Sequence, residues 1–487
     1  MSVLKKNLVF NTLLSLSQIL FPLVTFPYVS RILGPGGIGQ VSFVDSITQY
    51  FILFSAVGIP LYGVREMAKL RKDRLASSKL FSELIFLHLA TTLFFLFIYV
   101  VTIFLLGNKD VPNSLFIIGC GMLLSNVFLV EWYYQSQEKF DYITKRTILL
   151  RFIFIGLMFY VIREKSDNTK YYLLSLVLQL VNAGINFFLV FKSDIKIVFT
   201  GINLRKHVKP LLFLTACSVI GSVYVLLDNV ILGILSTPQS VGYYSSAVKI
   251  TKVPISLINA LGIVLIPKLS ESFSNNDFKT IRHYIESSIH YVLTLGVPLS
   301  IGIALTAKWT VLLVSGQEFL PAILLVKCLS PIVVLIALNC IYFFQLFTPG
   351  NKERTMIIIL LVSALISIGL NFILIPKFAH LGTAITTTLT ELSVLAVSLY
   401  FSRKLFNIGL NAKLFVNPIV SSLIFIPIII LIDYWHLPTG IKLIVGAMLC
   451  MGAYYLIQSF IFKDSIMARM HDFVKDFLKL KKSKDGN

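Results

Sequence analysis

Two lysines three residues apart, Lys249 and Lys252, interrupt the apolar stretch that runs from Gly242 to Pro267. Roughly 20 apolar residues rising about 1.5 Å each cross the hydrocarbon core, so this stretch is long enough to span a bilayer. On a helix both lysines fall on one face. A lysine at the centre of a span costs roughly 2.5–3.5 kcal/mol on insertion scales, and is tolerated where the charge meets water, a partner or a ligand. A pair of cations at that depth suits an anionic cargo, and phosphate attraction is the chemistry we expect of them. The alternative is an ion pair with Asp45 or with Asp228 on the preceding span. The two readings are compatible, since an ion pair in the empty state can yield to a phosphate.

Other polar groups at membrane depth carry paired readings. Glu391 lies near the middle of its apolar run. A protonatable carboxylate there suits H+ or Na+ coupling, and equally a hydrogen-bonded core carboxyl. Arg31, near the outer end of the first span, could meet a translocated phosphate or anchor in the headgroups. Lys327 reads as a snorkelling lysine. Arg65 and Arg151 read as inner-face anchors. Gln18, Gln49, Gln179, Asn182, Asn186, Asn339, Gln345 and Asn371 could bind the hydroxyls of a polar cargo, and each taken alone is more often interhelical glue. Trp132, Tyr133 and Tyr134, beside Glu131, read as an aromatic belt, with Gln135 and Gln137 as polar contacts to a cargo.

The elements that must position these groups are membrane spans. The chain has 487 residues, 56% hydrophobic and 14% charged, with a mean hydropathy of +0.84. Soluble domains carry about 25% charge, so the class is an all-α polytopic membrane protein. The net charge of +20 follows from Lys and Arg gathering in cytoplasmic loops, and implies no nucleic-acid partner. Cys120, Cys217, Cys328, Cys340 and Cys450 lie in apolar runs without CxxC spacing and read as packing residues. No HExxH or comparable cluster occurs, so neither a metal nor another cofactor is expected. The first apolar segment is too long for a cleavable signal peptide and lacks a small-residue cleavage site.

Apolar runs separated by polar breaks predict fourteen spans, at about 8–33, 39–63, 80–106, 113–135, 147–163, 170–192, 210–235, 241–266, 287–307, 321–348, 355–375, 380–402, 414–433 and 439–463. An even number puts both termini on one side. Most of the 43 Lys and Arg fall on that side, including Arg71–Arg74 and the tail Lys479–Lys484, so both termini are expected to be cytoplasmic. Outward loops are short, the longest near Lys308–Leu320, with no room for a folded external domain. The inward segment Ser193–Lys209 has enough residues for a surface helix and is the natural hinge between two halves. The expected division is a six-helix bundle at 1–192, a linker at 193–209, a second six-helix bundle at 210–402, and two further spans with a basic tail at 403–487.

An internal repeat supports the division. The segment Leu33–Ser42 (LGPGGIGQVS) sets against Leu235–Ser245 (LSTPQSVGYYS) with one residue inserted, and from Gly39 and Gly242 onward the offset is constant at 203. Both segments end one span and turn outside the membrane into the next, with Pro and Gly making the turn. Six spans per half keep the halves in one orientation, related by an axis along the membrane normal. The repeat pairs Ser46 with Lys249 and Gln49 with Lys252, concentrating positive charge in the second half.

At these residues the chain resembles a known family. Phe26–Gly39 (FPYVSRILGPGGIG) is similar to the first-hairpin signature of bacterial polysaccharide transport proteins. Glu131–Ile143 (EWYYQSQEKFDYI) is similar to their segment closing the fourth span, and Asn371–Glu391 to their turn between spans eleven and twelve. The family is the O-antigen-type (Wzx-like) lipid-linked oligosaccharide flippases, of the multidrug/oligosaccharidyl-lipid/polysaccharide exporter superfamily. The resemblance implies two six-helix bundles around a central cavity that alternates between inward-open and outward-open. It implies a cargo, an undecaprenyl-pyrophosphate-linked repeat unit moved from the inner to the outer leaflet of the bacterial cytoplasmic membrane. Implied partners are a polysaccharide polymerase and chain-length machinery. Two other classes remain open at this point: a cation-coupled multidrug exporter of the same superfamily, and a membrane-embedded glycan polymerase or glycosyltransferase. The first needs acidic lobes; the second needs positioned catalytic groups on a sizeable loop, or a metal site.

Overall fold

The structure is a computed structural model that describes residues 3–106, 110–193, 195–263, 265–409, 413–464 and 466–468. The basic tail Lys479–Lys484 lies outside the described residues, as does the side chain of Cys217. Each of the fourteen expected spans coincides with helix. Val3–Ala56 (α1) carries the first two, bent at Gly34, whose φ of 68° and ψ of 179° interrupt the helix just before Pro35. Ile59–Lys69 (α2) is short, Arg74–Leu106 (α3) is the third span, and Asn113–Asn126 (α4) with Glu131–Ser136 (α5) makes up the fourth. Phe140–Val161 (α6), Asn168–Phe191 (α7), Arg205–Leu235 (α8) and Pro238–Ile263 (α9) are the fifth to eighth.

Ile266–Ser274 (α10) is again short; Phe278–Leu305 (α11) is the ninth span and runs on into Ala307–Val314 (α12). The tenth is broken at Ser330-Pro331 into Ala322–Leu329 (α13) and Ile332–Cys340 (α14), which widens into π-helix over Ile341–Phe347. Glu353–Phe378 (α15) and His380–Phe406 (α16) follow. Lys413–Ser422 (α17) with Phe425–Tyr434 (α18) forms the thirteenth span and Thr439–Leu456 (α19) the last. Among the described residues, ten segments are long and apolar enough to cross a membrane, the first of them holding two expected spans; the other three expected spans coincide with α6, α8 and α9, which are not among those ten. Helix is the form that satisfies every backbone donor and acceptor within one chain segment where no water is available.

The chain forms two compact units, Met1–Ser245 with Asn371–Thr383, and Ser246–Leu370 with Ala384–Asn487. In the first, a core of Ile59, Tyr62, Met67, Phe81, Leu84, Trp132 and Tyr134 ties α2, α3 and α5 together. This overturns the aromatic-belt expectation: Trp132, Tyr133 and Tyr134 are only 5%, 3% and 3% exposed. Their rings pack on Phe81 and Tyr142, and the Tyr134 hydroxyl donates to the Asn186 carbonyl, so they are interior residues. In the second unit, Trp309, Phe425, Ile432, Cys450, Tyr454 and Met467 pack the last two spans on α11 and α12. The Tyr454 hydroxyl donates to Thr294 O and Trp309 Nε1 to Asp433.

The linker is long enough for a surface helix, but residues 195–203 do not form one and bend at Thr200 and Gly201. Their amides are claimed by side chains of α3 before a helix could use them: Lys196 N donates to Ser78 Oγ, Val198 N to Ser82 Oγ, and Asn203 N to Glu83 Oε1.

Internal symmetry is written into contacts within the first unit. A Cβ on Gly39 would collide with the Pro238 carbonyl, and a Cβ on Gly242 with the Pro35 carbonyl. Pro35 and Pro238 are therefore partners at the same 203-residue offset as the glycines, and no inserted residue is needed from Pro35 onward. The next layer repeats too. Gly37 and Gln40 meet Asn168, which opens α7, while Ser240 and Tyr243 meet His380, which opens α16. A second landmark went unread in the sequence: α2 and α10 both begin Ile-Pro, at Ile59-Pro60 and Ile266-Pro267, with Pro in the first helical turn where its missing N–H costs nothing.

Candidate functional site

Lys249 and Lys252 lie on α9, both exposed, while Ala247, Ile250 and Thr251 on the other side of the same turns are buried. The helix continues through Pro254. A proline two residues beyond Lys252 removes one backbone donor. The two ammoniums therefore share one face of α9.

Asp228, on α8, is buried at 4% exposure. Its Oδ2 accepts from the Tyr244 hydroxyl at 2.8 Å and its Oδ1 from the Asn371 amide at 2.8 Å. The next residue, Asn229, donates to Ser46 Oγ at 3.2 Å and accepts from Ser245 Oγ at 3.4 Å, joining α8 to the second half of α1. Asp45 is half-buried, with Gln49 Nε2 at 3.4 Å and the Tyr172 hydroxyl at 3.5 Å from its Oδ1. Thr48 beside it bonds the Tyr99 hydroxyl at 3.0 Å. Asp45 and Gln49 thus sit in one hydroxyl-rich patch of the first unit.

Glu391 lies in the second unit, 3% exposed. Asn339, the residue before the last of α14, donates to Glu391 Oε2 at 2.9 Å and to its backbone oxygen at 3.2 Å. Asn339 Oδ1 is buried without a hydrogen-bond partner, immediately above the π-helical turns. Such turns recur at functional sites because they release a backbone carbonyl from the α-ladder. Asp228 and Glu391 are thus each held by an asparagine amide, whereas Asp45 is met by Gln49 and Tyr172.

Arg31 is exposed near the Gly34 bend, and Lys327 is exposed on α13. Arg65 pairs with Glu66 at 2.9 Å, and Arg151 bonds Ser17 Oγ. Gln179 donates to Met122 O and Ser125 Oγ, and Asn186 to Leu129 O, so with Asn339 and Asn371 they bond between helices. Glu131, expected near the inner face, pairs with buried Arg146 at 2.7 Å.

Sequence reasoning missed one constellation. Glu83 on α3 is fully buried and receives Asn203 N, Lys206 Nζ at 2.8 Å and His207 Nε2 at 2.9 Å; Tyr62 completes it by bonding His207 Nδ1 at 2.8 Å. A lone carboxylate in an apolar run was the available signal.

With this geometry described, the comparisons can be placed. Residues 4–273 match the model of a family described as polysaccharide biosynthesis protein. The chain is similar to a protein of Escherichia coli (strain K12) that bears the name of an O-antigen transporter, 27% identical over 82% of this chain and 97% of that one. It is similar to the capsular polysaccharide biosynthesis protein CapF of Staphylococcus aureus, 22% identical over 81% and 97%. Among solved structures, lipid II flippase MurJ in an inward closed conformation superposes with a TM-score of 0.66 at 17% identity, covering 92% of this chain and all of that one. An inward-facing multidrug resistance transporter of the MATE family superposes at 0.65 with 14% identity, covering 82% and 98%. At such identities these two establish the fold alone.

Proposed function

Because the chain belongs to the polysaccharide biosynthesis protein family, and is a multi-pass membrane transporter of the polysaccharide-flippase kind rather than an enzyme, we propose that it translocates an undecaprenyl-pyrophosphate-linked oligosaccharide repeat unit from the cytoplasmic to the outer leaflet. The relatives named for lipid II, for O-antigen and for low-salt glycan biosynthesis support a lipid-linked glycan as cargo. We infer alternating access between two six-helix halves, in the bacterial cytoplasmic membrane with both termini inside. Export feeds O-antigen, capsule or exopolysaccharide synthesis, with a polymerase and chain-length machinery as downstream partners.

One observation carries the cargo assignment. Lys249 and Lys252 stand exposed on one face of α9, within the long apolar stretch Gly242–Pro267. A pyrophosphate with its sugars cannot cross about 30 Å of hydrocarbon unaided, and a carrier needs cations that meet it in a wet path. We assign the two ammoniums to the phosphates. Arg31, Asp45, Gln49 and Asp228 are further candidate polar contacts for the cargo. Glu391 is the candidate for H+ or Na+ coupling, a buried carboxyl beside an unpartnered amide oxygen on Asn339.

The test is the double variant Lys249→Ala, Lys252→Ala in a strain lacking the native protein. It is expected to insert normally, to abolish surface polysaccharide and to accumulate the lipid-linked repeat unit inside. Wild-type surface polysaccharide in that strain removes the lysines from cargo binding. Restored export of cationic drugs with no effect on glycan would favour the multidrug reading.

A further inference from the structure

A cavity of about 430 Å³ opens in the first unit where α2, α3 and the start of α8 meet. That lies within the roughly 300–1,000 Å³ of small-molecule sites. Each element puts one lysine on its wall: Lys69 ends α2, Lys79 lies in the second turn of α3, and Lys206 is the second residue of α8. Two carboxylates share the wall, and both are engaged. Glu66 takes Lys69 and Arg65, and the fully buried Glu83 takes Lys206, His207 and the Asn203 amide. Lys79 has no carboxylate partner among the described residues. It is nonetheless held against the linker: Gly201 turns at a φ of 67°, and a Cβ there would stand 3.4 Å from Lys79 Nζ. The wall therefore carries positive charge in excess, with ammonium donors left for a ligand.

Retention of basic residues at the inner face does not by itself account for this wall. Asp73 caps α3 by accepting Ala76 N, and Asp277 caps α11 by accepting Thr280 N, 204 residues later. At that spacing Lys79 answers to His283 and Glu83 to Ser287. Both counterparts line a cavity of their own in the second unit, of about 310 Å³. It occupies the same place in the repeat, between an even span and the next odd one, yet none of its described wall residues is a lysine or an arginine. The charge belongs to the first cavity and not to the position.

Apolar side chains stand exposed beside the lysines. Leu75 precedes the wall residue Ala76, and Phe199 hangs from the linker with its ring centroid 5.4 Å from that of Phe86. They are 82% and 75% exposed. Val208 and Leu212 continue the exposed apolar surface along α8. Cations next to exposed hydrocarbon suit an anion that is itself carried at a membrane surface.

We propose that this cavity binds an anionic phosphate group, one whose charge is not offset by a cation of its own headgroup, and that the occupant ties the linker to α2 and α3. Lys69, Lys79 and Lys206 meet the phosphate oxygens as point charges. The source is the headgroup of an anionic phospholipid, which Leu75 and Phe199 favour, or a small soluble phosphate ester. The site lies in the first unit and does not depend on the cargo assigned to Lys249 and Lys252, which belong to the second.

Hydrogen exchange on the full-length protein tests this in phosphatidylcholine nanodiscs, used alone, with phosphatidylglycerol, and with added glycerol phosphate. The Val198 and Asn203 amides, bonded to Ser82 and Glu83, report on the linker. A ligand at about ten times its Kd should raise their protection about tenfold. A gain with phosphatidylglycerol assigns the site to lipid, and a gain with glycerol phosphate alone assigns it to a soluble ester. Lys69→Gln and Lys79→Gln should each weaken binding about tenfold, the worth of a charged hydrogen bond, and so cancel most of the gain. Lys72→Gln removes an exposed charge from the same loop outside the cavity, and should keep most of it. No gain with either phosphate overturns the proposal. So does an equal loss in Lys72→Gln, the mark of a diffuse basic surface.

Discussion

Asn371 donates its side-chain amide to Asp228 at 2.8 Å, so a carboxylate on α8 is closed from the side of α15. Tyr244 takes the other oxygen from α9. Three helices thus meet on one buried acid. Removing a partner from a buried charged group costs more than the bond itself contributes, because the group stays desolvated.

Asn371→Ala should therefore destabilise the protein by about 1–3 kcal/mol, and Tyr244→Phe by less. Thermal unfolding in detergent, followed by loss of monodispersity, measures both. An unchanged midpoint for Asn371→Ala would show that Asp228 finds another donor at no cost.

Glu391→Gln keeps an oxygen that can accept from Asn339, so the fold should survive with a change of no more than about 1 kcal/mol. What it removes is a titrating group. Export measured under imposed proton and sodium gradients should lose its dependence on one of them. The same dependence in the variant excludes Glu391 from coupling.

Gly39→Leu should fail to accumulate as folded protein, because its side chain would occupy the space of the Pro238 carbonyl. Overpacking typically costs about 1–3 kcal/mol, and more where the obstacle is backbone. Gly184→Leu, at a glycine with open space around it, is the matched control and should be tolerated. Equal yields of the two variants in the membrane fraction would contradict the close crossing.

Glu83→Gln weakens the hold on Lys206 and His207, leaving a neutral group where a buried carboxylate accepts three donors. The linker should loosen, and trypsin should cut after Lys196 or Lys206 several-fold faster than in the native protein. Unaltered cleavage would place the strength of the linker in Ser78 and Ser82 instead.

The spans were legible because the bilayer imposes one rule, that backbone polar groups pair within the segment, and apolar runs of the right length follow from it. Asp228 and Glu391 were legible as acids in such runs. Their partners were not. Asn339 and Asn371 look from sequence like any amide at depth, and only three-dimensional placement shows each one on a carboxylate. Glu83 carries the same signal as Asp228, yet it lies close to the basic stretch Arg71–Arg74, where a charge is unremarkable. Trp132–Tyr134 illustrates the converse. Aromatics near a membrane boundary suggest a belt, and here tertiary packing against Phe81 turns them inward. The linker defeats length-based reasoning because its structure is decided by Ser78, Ser82 and Glu83, more than a hundred residues earlier.

The crossing of Pro35–Gly39 with Pro238–Gly242 has the property that exchanging the two segments leaves the contact unchanged. Each glycine receives the proline carbonyl of the other. Such a patch is self-complementary, the isologous form of a two-fold interface. Two separate half-length chains carrying this hairpin could have docked on each other through the same atoms. Fusing them into one polypeptide would free each copy to diverge, so that Ser46 and Gln49 stand in one where Lys249 and Lys252 stand in the other.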